Sequence, residues 1–218
     1  MLRELLDTTT IPKEVADDLL ATAPSLWLAS DGDGDLASDL ALCHPPLEAR
    51  EVRARVARAG ATRWRLTVVA RNRTGLLADT AGLVANEGLS ISSASAVTWE
   101  HRDLALHSLC LPGAPPGAIT LERLGARLRA AAEGDRPEVR FDPEGPASAR
   151  IVGEAGGDAI VAVTAPDQFG LLWAICRWFA DRGGSIQAAG VSGGAMVHDI
   201  FIVRDCPDVA GLEQRLNG

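Results

Sequence analysis

With 218 residues, 47% of them hydrophobic and 23% charged, the chain has enough apolar material for one large or two small buried cores. A formal net charge of -8 and a pI near 5.0 repel phosphate backbones, which excludes nucleic acid as the expected partner. No apolar run reaches the roughly 20 residues of a membrane-spanning helix, and Met1-Leu2-Arg3-Glu4 does not open a signal peptide, so the reading is a cytoplasmic protein without a membrane partner.

Residues 1–45 read as an N-terminal helical segment and connector, with one helix over 12–21 and a short one beginning at Asp35-Leu36-Ala37. The string Asp31-Gly32-Asp33-Gly34-Asp35 has the composition of a calcium loop without its spacing. Its sixth position is Leu36 and its twelfth Leu42, where Gly and Glu are needed. We read it as a loop.

A first domain is expected over 46–142. Val52, Ala54 and Val56 alternate with Arg53 and Arg55, predicting a lead-in strand whose arginines lie on a solvated face beside Glu48 and Glu51. Residues 64–70 are apolar and β-branched, a strand signal. After a loop closing at Gly75, the apolar positions Leu77, Ala81 and Val84 keep helical spacing up to Gly88. Strands follow over 89–99 and 103–111 around a turn at Glu100-His101-Arg102. Residues 112–117 break the pattern, and Leu121, Leu124, Leu128 and Ala131 mark a helix that Thr120 would cap. A short strand over 139–141 would close the unit.

Sliding the chain along itself places residues 66–96 on 161–191 without a gap. Ten positions are identical, among them Gly75/Gly170, Leu76/Leu171, Leu77/Leu172, Gly88/Gly183 and Ser90/Ser185. A second domain is therefore expected over 148–218: a lead-in at 149–154, a strand at 158–164, a helix at 171–182, strands at 185–191 and 195–203, and a last helix within 208–217. Trp178 follows Leu171 by seven on its helix and reads as interfacial or core. Trp173, off that face, suits a packing surface between modules or subunits. Cys43, Cys110, Cys176 and Cys206 show no Cys-x-x-Cys spacing and read as reduced packing residues. The fold class that results is α+β: two ferredoxin-like βαββαβ modules, antiparallel sheets with helices on one face, preceded by the helical segment. Units this small are only marginally stable singly, so the two should pack together.

The loops carry a family resemblance. Asn72-Arg73-Thr74-Gly75-Leu76-Leu77 through Gly88-Leu89-Ser90-Ile91, and Asp167-Gln168-Phe169-Gly170-Leu171-Leu172 through Gly183-Gly184-Ser185-Ile186, resemble ACT domains. The ACT pattern is Asp or Asn, two residues, Gly-Leu-Leu, a helix, then a Gly-led strand start. More narrowly, residues 24–218 are similar to the C-terminal ACT pair of the bifunctional uridylyltransferase and uridylyl-removing enzyme that modifies the PII nitrogen-signalling protein. The stretch 24–42 resembles the connector into that pair, and 198–205 its third strand.

The resemblance implies a small-molecule site, commonly for an amino acid, between two copies at the first loop and following helix start. Unpaired amides at a helix start suit a carboxylate. The implied ligand-binding residues are Asn72, Thr74, Gly75, Leu76 and Ser90 in the first copy and Asp167, Phe169, Gly170, Leu171 and Ser185 in the second. Asn72 donates and accepts whereas ionised Asp167 only accepts, so the two sites should differ in ligand or occupancy. Asn72 and Asp167 also read as turn residues, and Thr74 as a helix cap. The uridylyltransferase's catalytic parts lie upstream of the matching region. The four histidines, His44, His101, His107 and His198, do not make a metal-binding set by spacing, and His198-Asp199 reads as strand and not site. The expectation is a non-catalytic regulator with no cofactor, an amino-acid ligand and a regulated protein partner. The alternatives are a structural ACT pair driving self-association, such as a homodimer, and an accessory or remnant of a PII uridylyltransferase.

Overall fold

The alternating lead-in forms β1 (Val52–Arg58), which turns back into β2 (Arg63–Arg71). Then follow α5 (Leu76–Asn86), β3 (Ser93–Trp99), a single 3-10 turn at Glu100–Arg102, β4 (Leu104–Pro112) and α6 (Ala118–Ala132). The second copy repeats this order as β5 (Ser148–Ala155), β6 (Asp158–Pro166), α7 (Leu171–Asp181), β7 (Ser185–Val191), β8 (Met196–Arg204) and α8 (Ala210–Asn217). Ahead of both lie α1 (Leu2–Leu6), α2 (Lys13–Thr22), α3 (Ser25–Leu28) and α4 (Asp33–Ala41). The computed structural model describes residues 2–30, 32–113 and 118–218. Residues 114–117 of the expected breaker and the side chain of Thr120 lie outside the described residues. Since α6 begins at Ala118, Thr120 falls inside its first turn and not before it.

The architecture is α+β, with one correction to the expected separate sheets. All eight strands join a single antiparallel sheet in the order β1-β2-β4-β3-β7-β8-β6-β5. The halves meet at β3 and β7, where Ala94 pairs with Val191 and Ala96 with Ala189. Under the repeat, 94 maps to 189 and 191 to 96, so this pairing maps onto itself and an approximate two-fold axis passes through it. A second correction concerns the edges. Residues 139–141 form no strand; the lead-in strands β1 and β5 hold the outer positions instead. Val139 and Phe141 are buried against the second half, beside Gly170.

Strand alternation assigns each residue a face. Leu66, Val68 and Ala70 of β2 point to α5 and α6, meeting Leu83, Val84, Leu124 and Leu128. Val69, Val97, Trp99 and Leu106 point the other way, into Leu19, Trp27, Leu36 and Leu40 of the N-terminal helices. Helices therefore cover both faces of the first half, not one face as expected. Trp99 fixes this docking: its Nε1 donates to Leu19 O at 2.9 Å, and its ring meets Trp27 edge-on at 5.5 Å between centroids.

Arg53 and Arg55 of the lead-in strand, expected on a solvated face, turn instead with Arg65 of β2 toward the N-terminal segment, while Arg58 and Arg63 are exposed. Asp39 of α4, fully buried, accepts from Arg55 Nη2 at 3.0 Å, Thr67 Oγ1 at 2.7 Å, Ser108 Oγ at 2.6 Å and Arg65 Nε at 3.1 Å. Arg53 donates to the carbonyl oxygens of Leu42 and Pro45 in the connector. These side chains fasten the N-terminal segment to the sheet. No helix among the described residues is long and apolar enough to cross a membrane.

Asp39→Ala would leave the buried Arg65 guanidinium without its carboxylate, a loss of about 3 to 5 kcal/mol. Chemical denaturation should show it, with faster proteolysis ahead of residue 42. At the contact of α5 with α7, a Cβ on Gly82 would come within 2.6 Å of the Trp173 ring and 2.9 Å of Pro137. Gly82→Ala is therefore expected to destabilise by about 1 to 3 kcal/mol by overpacking, although alanine is the better helix former.

Candidate functional site

The two-fold axis puts the loop before each central helix beside the opening of the other copy's hairpin. Two clefts result. One lies between the Asp167–Gly170 loop with the start of α7 and residues 89–92 of the first copy. Its twin lies between the Asn72–Gly75 loop with the start of α5 and Gly184 and Ile186 of the second copy. At each hinge a glycine precedes the helix in the left-handed region, Gly75 at φ 84° and Gly170 at φ 84°, a conformation that costs other residues energy.

The clefts are not equally open. The α7 cleft is a cavity of about 300 Å³ and its twin only about 20 Å³, so the first stands at the lower end of small-molecule sites, roughly 300 to 1,000 Å³, and the second admits about one water. Other depressions exist, including one of about 410 Å³ on the opposite face of the sheet, lined by Arg63, Arg65 and Ser95 among others. It contains none of the residues expected to bind ligand.

Expected site residues divide as follows. Asp167, Phe169, Gly170 and Leu171 line the α7 cavity together with Ser90, which comes from the other copy. Asn72, Gly75 and Leu76 line the twin cleft. Ser185 is not on its lining, and its hydroxyl accepts from Gln187 Nε2 at 3.1 Å. Thr74 lines neither cleft. Nor does it cap α5, because the cap position is Gly75 and carries no side-chain hydrogen bond. In each cleft the loop backbone is tied to the hairpin of its own copy: Asn72 N donates to Asp103 O and Asp167 N to Ala195 O, each at 3.2 Å.

The polar content differs more than the volume. In the twin cleft, Arg73 Nη1 donates to Asp79 Oδ2 at 2.5 Å, and Asp79 is buried on the first turns of α5. His107 is also buried, its Nδ1 3.0 Å from Thr80 Oγ1. Burial and then the nearby Arg73 charge hold its pKa down to about 3, so its imidazole is neutral. In the α7 cavity the residue replacing His107 is Asp199, since His107 sits opposite Val68 and Asp199 opposite the equivalent Val163.

Asp199 is only 1% exposed and its Oδ1 accepts from Ser192 N at 3.0 Å. Burial pushes its carboxyl up to about 7; the Ser192 N–H opposes this, and the Asp167 charge adds to the rise. His198-Asp199 is thus strand, as expected, but Asp199 also belongs to the cavity wall. The described lining contains no Lys, Arg or His, while apolar surface comes from Leu89, Ile91, Leu172 and Val191. Among the described residues no group of three or more His, Cys, Asp and Glu is placed to hold a metal ion.

No family model matches the chain, and no curated protein matches it. A crystal structure of an unknown protein from Galdieria sulphuraria is similar over 65% of this chain and 80% of that chain, at 16% identity and a TM-score of 0.26.

A carboxyl whose folded pKa, about 7, exceeds the ordinary 3.8 makes the native state bind more protons than the unfolded one across that interval. Stability therefore falls as pH rises towards 7. Asp199→Asn keeps an acceptor for Ser192 N and removes the charge. Denaturation midpoints should show the variant gaining more at pH 8 than at pH 5, by on the order of 2 kcal/mol.

Proposed function

We propose that this chain is a non-catalytic regulator of the tandem ACT type, akin to the pair at the C-terminus of PII uridylyltransferases. In this reading it binds an amino acid in the α7 cavity and signals through altered contacts with a partner protein. The observation that carries the reading is that the open cavity is walled by the loop and helix start of one copy and the hairpin start of the other.

The chemistry of the walls supports a zwitterion. Leu171 N at the start of α7 donates to Gln168 O, and the next first-turn N–H groups, of Leu172 and Trp173, have no acceptor four residues back within the helix and favour a carboxylate. Asp167, exposed on the loop, can pair with an amine. The apolar wall receives the rest of the side chain. Because the two copies share the site, a ligand gains most when they close on it, and that differential affinity is what couples occupancy to the outer surfaces.

Calorimetric or thermal-shift titration of the full chain with the common amino acids, glutamine among the first, is expected to give saturable binding for at least one. That binding should be weakened by Asp167→Ala and unchanged by Asn72→Ala. A flat response to all of them would remove the sensing reading.

Self-association is the second reading, and one observation favours it. The sheet face that the N-terminal helices cover in the first half stays half-exposed in the second at Ile160, Ile200 and Ile202. A second copy covering it would give a dimer by sedimentation velocity, and Ile202→Lys would return it to monomer.

A further inference from the structure

The two clefts are alternative versions of one site, and comparing their charges says what the open one lacks. Under the repeat, Arg73 corresponds to Gln168, Asp79 to Ala174, Asn72 to Asp167 and, through strand register, His107 to Asp199. In the twin cleft one cation meets one anion and the remaining two groups are neutral. The chain has placed its own guanidinium where the cleft would otherwise stand open. In the α7 cavity the intrinsic cation is gone and two carboxylates stand in its walls, one of them buried. Paired carboxylates in a half-enclosed, apolar-walled space repel each other and are relieved by a cation between them.

We propose that the α7 cavity is selective for an amino acid with a basic side chain, held through its two cationic groups by Asp167 and Asp199, and that the Arg73-filled twin cleft binds nothing, so each chain takes one ligand. This rests on the amino-acid reading above and narrows it. The α-carboxylate meets the first turn of α7, the α-amine meets Asp167 at the mouth, and the side-chain cation reaches Asp199 deeper in. Ionised Asp199 is the binding form, so binding couples to proton release.

The titratable groups facing Asp199 are few. The loop before α7 contributes Asp167, and α7 contributes the Cys176 thiol, which burial and then the Asp199 charge hold well above its ordinary range. From β6 the facing residue is Val163, and from the β7–β8 turn it is the Ser192 amide. His198 points to the opposite face, near Thr164. With Asp199 titrating near 7, affinity for a cationic side chain should fall about tenfold between pH 8 and pH 6.

The test is calorimetry on the full chain with free arginine and lysine, against glutamine, norleucine and glutamate as neutral and acidic comparators and calcium chloride as a metal control. Expected are one arginine or lysine per chain, at least about tenfold preference over norleucine, weakening towards pH 6, and heats that depend on the buffer's ionisation enthalpy. Asp199→Asn should cost at least about tenfold and flatten the pH dependence. Asp167→Asn, on an exposed loop that the core does not need, should weaken binding at all these pH values.

Glutamine or norleucine binding as tightly as arginine would overturn the selectivity while leaving the amino-acid reading in place. Two ligands per chain would overturn the single site. Unchanged binding in Asp199→Asn, or saturation by calcium instead, would overturn the role given to the carboxylates. Silence towards every amino acid would overturn the parent reading and this inference together.

Discussion

The antiparallel pairing of β3 with β7 is the constraint from which the rest of the molecule follows. Because residues 94 and 191 pair in a register that the repeat maps onto itself, the two copies are fixed as approximate two-fold mates within one hydrogen-bonded sheet. Both loop-helix hinges are thereby brought to the seam, each against the other copy's hairpin. The residues at the seam are small, with Ala94, Ser95 and Ala96 facing Ala189, Gly190 and Val191. That leaves room for α5 and α7 to lie together across it on one face and for Leu26 of α3 to reach Gly190 on the other. Larger side chains there would push the helices off the sheet and separate the walls of both clefts.

Two breaks in this symmetry lie in side chains. On the far face, the first half carries Arg65 and Thr67 where the second carries Ile160 and Ala162. The polar pair accepts Asp39 and with it the whole N-terminal segment. A carboxylate buried this deeply is tolerable because four side chains donate to it, two of them through guanidinium groups. On the helix face, the break is between a cleft that holds its own ion pair and one that holds carboxylates without a cation. The same repeat thus carries different polar groups in its two halves.

Much of this was legible in the residues. Gapless self-alignment located both central helices, their hinge glycines and the flanking strands to within a few residues, because glycine and helical spacing are local signals. The edge positions were less accessible. Val139-Arg140-Phe141 alternates like a strand, yet its apolar residues are buried by packing beside Gly170 rather than by pairing, and alternation cannot tell the two apart. A site between two copies is expected from the resemblance, but which loop Ser90 joins is not legible locally; the seam places it with the loop of the other copy. Which copy faces which is a long-range fact. Asp199 escaped for a simpler reason: the second hairpin is three residues shorter than the first, so a fixed offset loses register beyond the turn, and only the pairing of His107 with Val68 and of Asp199 with Val163 restores it.

That restored equivalence explains why Asp199 is informative about chemistry. At this position the fold needs only a small polar group that accepts a hydrogen bond from the neighbouring turn, and an amide would accept from Ser192 without the cost of burying a charge. The twin meets its own local demand with a neutral imidazole beside Thr80. A carboxyl placed where a neutral group would serve, facing a second carboxylate across open volume, lowers the stability of the empty protein. Electrostatic strain of this kind is relieved by protonation of Asp199 or by a cation between the two carboxylates, and a functional cavity is where such a cost is expected.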